Sequence, residues 1–594
     1  MYHSLLSQSL ITIFRKLMYS IDLRALRTLR VRETIEPFLV TAEQMQAIEG
    51  RLFSAGLPVA ALMEKVSGLI LRWFLAHAVE DRLFAVGTAA ENASVSIGVL
   101  AGPGHNGGDA LVVARELHCL GYSVSVYQPF DKCKPLTHGH ASYAKSLGIR
   151  FVHSVTELAH CAVIIDGWFG FGLTRPIADS LLSDIEYLNR QKAPVFSIDL
   201  PSGIHTDTGQ VMGMAIEARY TACLGLWKYA FMQESAIAYC GQSDLIDFDI
   251  PLADIEAVLG SSDASLDDSM QTAAKRVRRI TSPQAMAALP LRRAPTAHKY
   301  KAGHLLLIAG SRQYAGAALL AGLGAMASGV GMLTLAIPES IRLSLLPQLP
   351  GALLVGCEET KSGAIAELPP DLDLEEKSEK YDAIALGPGL TTAVPTILDA
   401  VFGAPIPLLL DADGLNILAS RDPVSLLKER AAPTVLTPHL GEFKRLFSNL
   451  YSSLHSGFRE KGESFLPGEL AWLAAQVSGA TVLLKGPRSV IASDQTIWFN
   501  PHSTPALARG GSGDVLTGLM GGLMASAAQD KAGQGTFDWL TSAVLGAVWW
   551  HSQAAIYASR ERTLLGVDPL HLARSLNPAL EFVRRSLDNP ALLD

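Results

Sequence analysis

From Val95 onward, short apolar runs alternate with stretches whose apolar residues recur every three or four positions, and the whole alternation occurs twice. The short runs read as strands buried on both faces, and the longer stretches as the helices that cover them. In the first half the runs end at Ala101, Tyr127, Asp166 and Asp199; in the second they end near Ala309, Ile337, Gly387, Asp411, Thr437 and Lys485. The pattern predicts an α/β chain of two three-layer domains, each a parallel sheet between helices with a ligand crevice at the carboxyl ends of its strands. Between them, residues 260–274 (GSSDASLDDSMQTAA) lack a strong apolar period and read as a linker.

One stretch, Ala315 to Pro338, is uncharged and long enough to cross a bilayer. Gly329 and Gly331 divide it, so it reads as a small-residue helix followed by a strand from Met332 to Ile337, with no membrane span. At 594 residues the chain exceeds one core, and 18% charged against 49% hydrophobic residues mark it as globular. A net charge of -8 argues against a general nucleic-acid binder. Cys119, Cys133, Cys161, Cys223, Cys240 and Cys357 form no C-x-x-C pair, which fits reduced thiols, a cytoplasmic location and no zinc site. Arg15, Lys16, Arg24, Arg27 and Arg30 follow the apolar run Leu5 to Phe14, the reverse of a secretory signal. Residues 1–37 are therefore read as an extension: either an organelle transit peptide or the result of a start placed too early, with initiation near Met18 or later.

Candidate chemistry gathers where glycines follow strands. Gly510 to Gly518 read GGSGDVLTG, so three glycines in four positions leave backbone N–H groups open to a ligand. The apolar run from Val515 predicts a helix whose positive end faces the same ligand. Electrostatics alone disfavours Asp514 beside such an anion hole, so it reads as a working acid or base, with helix capping the plainer alternative. In the first half, Gly102-Pro-Gly-His-Asn-Gly-Gly-Asp109 formally satisfies G-x-G-x-x-G after a strand. The next strand ends in Gln128 and Pro129 with no acid to hold a ribose, and Asp109 occupies the pyrophosphate position, so a nicotinamide dehydrogenase is not expected. Asp166 and Asp199 end strands just before glycine and Pro-Ser-Gly, and either face the crevice or cap the turns that follow. With Asn106 and Ser202 they make an oxygen-only set suited to a hard cation of low charge. Lys485 ends a strand before Gly486, where an ammonium can meet a phosphate. His439 leads into a helix and by itself reads as structural, while Asp411 and Asp413 either approach magnesium or cap the helix from Leu415.

GPGHNGGDALVVARELHCLGY, DGWFGFGLTRP and IDLPSGIHTDTG together resemble the NAD(P)H-hydrate epimerase domain over about Phe38 to Ile250. The resemblance implies a Rossmann-like fold with substrate contacts from His105, Asn106, Gly107, Gly108 and Asp109. It adds the loop Gly170, Phe171, Gly172, Leu173, Thr174, Arg175 and Pro176, and gives Asp199 both a substrate contact and a catalytic role. It also implies a potassium ion held by Asn106, Asp166 and Ser202. Where this chain has His105 the family has asparagine, as it more often does at Lys65, and the family's lysine after the last strand falls nearest Lys228.

In the second half GAALLAGLGAMASGVGMLTLAIP, LGPGLTT, LLLDADGLN, LTPHLGEFKRL, LLKGPRSVI and GGSGDVLTG follow in an order that resembles the ADP-dependent NAD(P)H-hydrate dehydratase, a ribokinase-like domain, over about Ile280 to Val583. By position, this implies substrate contacts from Ala317 or Ala318, Gly389, His439 and Asp514, with Asp514 catalytic. The nucleotide, with Mg2+ in this domain, is implied to meet Lys485, Gly486, Pro487, Arg488, Ser489 and Gly513. Ser489 keeps the hydroxyl of the usual threonine, whereas LPQLPGALLVG departs from the family's Pro-Glu-Leu-Met pattern and carries no assignment.

The expected organisation is an extension at 1–37, an epimerase domain at 38–256, a linker at 257–279 and a dehydratase domain at 280–585. The expected function is repair of hydrated nicotinamide cofactors, interconverting the R and S hydrates and returning the S form to NADH or NADPH with ADP, giving AMP and phosphate. One rival is a ribokinase-like vitamin or sugar kinase, for which the fused first half has no use. The other is a non-catalytic cofactor-binding or scaffold protein, against which Asp199 and Asp514 argue. Expected partners are the two hydrates and ADP, within a homo-oligomer, and neither nucleic acid nor membrane.

Overall fold

The computed structural model describes residues 31–84, 92–177, 179–260, 276–293, 295–372, 374, 378–453, 466–493, 496–529 and 539–588. Most of the 1–37 extension and of the 257–279 linker falls outside these residues. The chain folds as two compact units, Met1–Ala274 and Lys275–Asp594.

Among the described residues the first unit carries a seven-stranded parallel sheet. Its spatial order is Arg150–Val152, Ser123–Tyr127, Ser96–Ala101, Val163–Gly167, Val195–Ile198, Tyr220–Leu224 and Gln242–Ile246. The order runs outward in both directions from Ser96–Ala101 and Val163–Gly167, so the switch point lies between these two strands, where crevices form in such sheets. Helix His105–Cys119 leaves the first of them and packs against both, and against helix Val59–Glu80. Leu181, Ile185 and Leu188 of helix Asp179–Asn189 join Leu100, Ile164 and Val195 in a buried cluster. A separate two-residue ladder pairs Leu39–Val40 with Trp227–Lys228.

The second unit carries an eleven-stranded sheet among the described residues. Its order is Arg276–Arg279, Thr496–Phe499, Val490–Ala492, Thr481–Leu484, Thr434–Leu436, Leu408–Leu410, Ala383–Leu386, His304–Ile308, Met332–Pro338, Leu353–Glu359 and Ile365–Glu367. Only Val490–Ala492 and the edge strand Ile365–Glu367 run antiparallel to their neighbours. Arg276–Arg279 falls inside the span read as linker, yet it pairs in register with Thr496–Phe499. Three arginines in four residues hid this strand; Val277 and the Arg278 side chain are nonetheless buried.

The uncharged stretch resolves into helix Ala315–Ala327 and strand Met332–Pro338, and among the described residues no helix is long and apolar enough to cross a membrane. Helix Ala315–Ala327 lies backbone to backbone on helix Ser512–Gln529: a Cβ at Gly518 would fall 1.8 Å from the Ala321 carbonyl oxygen, and one at Gly324 would fall 2.2 Å from that of Val515. Only glycine permits this approach. Helix Ser512–Gln529 also rests on His304–Ile308 and Ala383–Leu386, the pair at which this sheet's order reverses.

Candidate active sites

In the first unit, close backbone packing fixes the glycine-rich loop. A Cβ at Gly102 would fall 1.8 Å from the Trp168 carbonyl oxygen, and one at Gly107 2.0 Å from that of Gly102. The loop turns into helix His105–Cys119, whose second residue, Asn106, donates from Nδ2 to the Ile198 carbonyl at 3.2 Å. Its Oδ1 and the Asp199 Oδ2 both approach Gly170, within 3.3 and 2.8 Å of where a Cβ would stand. Asp199 itself has φ +69, a left-handed backbone that non-glycine residues seldom adopt outside sites that use the strain. Its Oδ2 accepts the Phe171 amide at 2.7 Å and its Oδ1 the Lys228 ammonium at 2.6 Å. Lys228 is fully buried. Burial disfavours its charge, but Asp199, Cys223 and Glu49 together hold its pKa above the ordinary lysine value.

Asp166 is buried as well, one strand away. Its carboxylate accepts from the Ser202 hydroxyl at 2.6 Å, the Ser197 hydroxyl at 2.8 Å, and the amides of Ser202 and Trp168 at 2.9 and 3.2 Å. Burial raises its pKa and these four bonds oppose the rise. No cation is among its described partners, which leaves a buried carboxylate held only by neutral donors.

In the second unit, Asp514 stands in the first turn of helix Ser512–Gln529. Burial pushes its carboxyl up, Asp411 adds to the rise and Lys485 opposes it, for a value of about 6. Asp411 takes the Lys485 ammonium on Oδ1 and the Thr517 hydroxyl on Oδ2, each at 2.6 Å. Although burial works the other way, Lys485 holds the Asp411 pKa below the usual carboxylate range. A Cβ on Gly513 would stand 3.9 Å from both the Lys485 Nζ and the Asp411 Oδ2, so the helix start faces this ion pair. His439 caps helix Leu440–Leu446, its Nδ1 accepting the Gly441 amide at 3.0 Å while Glu442 returns a bond to the His439 amide at 2.9 Å. His439 and Lys485 are bridge partners at adjoining strand ends. Beneath the helix start, the buried His551 Nε2 lies 2.9 Å from the Ser512 carbonyl. Burial pushes this imidazole down to about 4, so at neutral pH it is uncharged and donates that bond.

Residues 59–230 match the family described as YjeF-related protein N-terminus, and residues 305–578 match NAD(P)H-hydrate dehydratase. The bifunctional NAD(P)H-hydrate repair enzyme of Synechocystis sp. is 49% identical over 542 residues, covering 91% of this chain and 94% of the relative. That of Thermosynechococcus vestitus is 47% identical over 554 residues, covering 93% and 98%. This chain belongs to the bifunctional NAD(P)H-hydrate repair enzymes. Among solved structures, the ADP/ATP-dependent NAD(P)H-hydrate dehydratase from Bacillus subtilis, co-crystallised with ATP and Mg2+, is 33% identical at a TM-score of 0.41, covering 51% of this chain and 97% of that one.

Within this repair-enzyme fold the expected residues divide into those that meet and those that do not. Asn106, Gly170, Phe171 and Asp199 converge, and Asp166 and Ser202 bond directly. Gly107, Gly108 and Asp109 are buried in the helix start, where Asp109 accepts from Ser67 at 3.2 Å. Asp109 therefore sits one turn inside the helix, not at its tip. His105, Gly172, Thr174, Arg175 and Pro176 are exposed, with Leu173 half-buried beside them. In the second unit Gly389 packs on Ala317, whose Cβ lies 2.9 Å from a Cβ built there, whereas Ala318 is buried under Gly310. Of the two alanines, Ala317 borders the crevice. Gly486 and Pro487 are exposed, Ser489 closes their turn onto Gly486 at 3.1 Å, and Arg488 reaches Ser503 at 2.9 Å.

Asp411 corrects the capping alternative: it holds the N-cap position of helix Ala412–Ala419 without a cap hydrogen bond, because Lys485 and Thr517 take its carboxylate. Asp413 likewise accepts the Thr391 amide at 2.9 Å. Among the described residues no group of three or more His, Cys, Asp and Glu side chains is gathered for a metal ion. The sequence reading missed Glu49, Glu442, Thr517 and His551 and left Lys228 open. Thr517 alone carried a local signal, three residues after Asp514 and so on the same helix face.

Proposed function

We propose that this chain epimerises the R and S hydrates of NADH and NADPH in its first unit and dehydrates the S form with ADP in its second. The observation that carries the reading is a carboxylate in each unit, Asp199 just after a strand and Asp514 in the first turn of a helix, set beside a glycine-rich helix start and a buried or half-buried lysine. The epimerase domain is taken as 38–256 and the dehydratase domain as 276–585, beginning at the strand Arg276–Arg279 because it pairs within the second sheet.

In the second site Asp514 takes the proton of the C6 hydroxyl as its oxygen attacks the terminal phosphorus of ADP, and the bond from that phosphorus to AMP breaks. The nitrogen lone pair then expels phosphate from C6, and loss of a C5 proton restores the dihydronicotinamide. Lys485 and the Gly513 amide stabilise the charge that gathers on the transferred phosphoryl group. Gly486 to Ser489 border the nucleotide, and Ala317, Gly389 and His439 border the ring. Mg2+, held by the nucleotide phosphates, would supply further charge neutralisation there.

In the first site Asp199 exchanges a proton with the C6 hydroxyl, Lys228 holds Asp199, and the loop Gly170 to Pro176 with the exposed edge of the Gly-rich turn, His105 and Asn106, covers the substrate. Asn106, with its amide nitrogen donating to the Ile198 carbonyl, and Asp166 and Ser202 offer oxygen donors to a cation. A buried carboxylate held by neutral donors fits a monovalent cation such as K+, which would steady the crevice. The test is epimerisation in K+, Na+ and Li+ at equal ionic strength; a rate indifferent to the cation removes the potassium assignment.

A further inference from the structure

Glu49 lies on the face of helix Ala42–Ser54 that also buries Met45 and Leu52, since residues three and four apart share a face. The start of that helix is fixed to the epimerase crevice. Val40 pairs with Lys228, Thr41 and Gln44 form a capping box, and the Ala42 amide donates to Asp207 at 2.7 Å. One turn before Glu49, the Met45 Cε lies 2.9 Å from where a Cβ on Gly225 would stand. The carboxylate of Glu49 therefore faces the segment that carries Lys228.

The charged groups around it come from four elements: Lys228, Asp199 after strand Val195–Ile198, Lys134 before helix Pro135–Ser146, and Asp109 in helix His105–Cys119. Burial pushes the Glu49 carboxyl up, Lys228 and Lys134 oppose the rise and Asp199 adds to it, for a value of about 7. Among the described residues no donor bonds to Glu49, whereas Asp199 accepts from Lys228, Phe171 and Leu224, and Asp109 from Ser67. Lys228, a stable ammonium, accepts no proton at neutral pH.

We propose that Glu49 is a second acid–base group of the epimerase site, working with Asp199 on the hydrate. The proposal rests on the epimerase reading above. Inverting C6 requires one of its bonds to open and re-form. As Asp199 takes the hydroxyl proton, the C6–O electrons form a carbonyl, the C6–N1 pair returns to the nitrogen, and Glu49 gives that nitrogen a proton. Rotation about C5–C6 and closure on the other face reverse both transfers, so electrons and protons balance without an added reagent. A carboxyl that is part protonated at neutral pH suits a proton carried out and back.

The test uses the full chain and the R hydrate alone, following S-hydrate formation by chromatography from about pH 5 to pH 9. For Glu49→Gln the expected result is a fall in kcat of about 100-fold with KM little changed, and loss of the ionisation near neutrality from the profile. Glu49→Asp keeps measurable turnover with that ionisation displaced. Dehydration of the S hydrate by both variants stays at the wild-type rate. Wild-type turnover and profile in Glu49→Gln, or a loss of rate with the neutral ionisation still present, overturns the proposal. A wild-type chain that leaves the R hydrate unchanged removes the epimerase reading itself, and the role of Glu49 with it.

Discussion

Asp514 must be ionised to take a proton, and burial with Asp411 nearby holds its carboxyl at about 6. Dehydration is therefore lost as pH falls through about 6 and is fully present above it; kcat/KM for the S hydrate measured against pH checks this sign. Asp514→Asn is expected to lower dehydration by about 100-fold or more while epimerisation continues, and equal loss of both activities in a folded variant would refute separate sites. Lys485→Met leaves the buried Asp411 charge without its cation, so the second unit should lose about 3–5 kcal/mol in denaturant unfolding. Asp199 and Asp514 were legible in the sequence because each is flanked by residues that only a turn or an anion hole requires. Glu49 was not, and Lys228 was reached only through the family resemblance, with its role open. The lysine meets Asp199 from 29 positions away, and the glutamate meets the charges of Lys228 and Asp199 from a helix near the start of the domain. Such pairings belong to topology, and local pattern does not encode them.

Helix Ser512–Gln529 carries Asp514 at its start and lies against helix Ala315–Ala327 with no room for a side chain at Gly518. Gly518→Ala forces the two backbones apart, which should cost about 1–3 kcal/mol and displace Asp514 from Lys485. Differential scanning of the intact chain should show the later-assigned dehydratase transition fall in temperature while epimerase activity is retained; an unmoved transition would mean the helices adjust freely. The apolar runs gave most strand ends to within a residue, since strands buried on both faces cannot disguise their composition. Several strands, Tyr220–Leu224 and Leu353–Glu359 among them, were not read from the sequence at all, and two others show why. Arg276–Arg279 hides behind three arginines, of which Arg278 is buried, and Gln242–Ile246 begins with polar residues at the open edge of its sheet.

Over the whole molecule, one chain carries both an isomerase and a lyase that consumes one of the two isomers. Neither sheet depends on strands from the other unit, so each activity should survive inactivation of the other. Asp199→Asn given mixed hydrates and ADP is expected to consume the S fraction and then stall, apart from slow spontaneous epimerisation. Uninterrupted conversion at the wild-type rate would reduce Asp199 to a turn residue. ADP is expected to outperform ATP as phosphoryl donor when each is freed of the other; faster turnover with ATP would reverse that assignment.

The most direct test is incubation of the wild-type chain with an R and S hydrate mixture and ADP, following NADH absorbance together with AMP and phosphate. The account predicts conversion of the whole mixture, with one AMP and one phosphate released for each NADH formed. A plateau at the S fraction, or a phosphorylated hydrate accumulating without NADH, would contradict it.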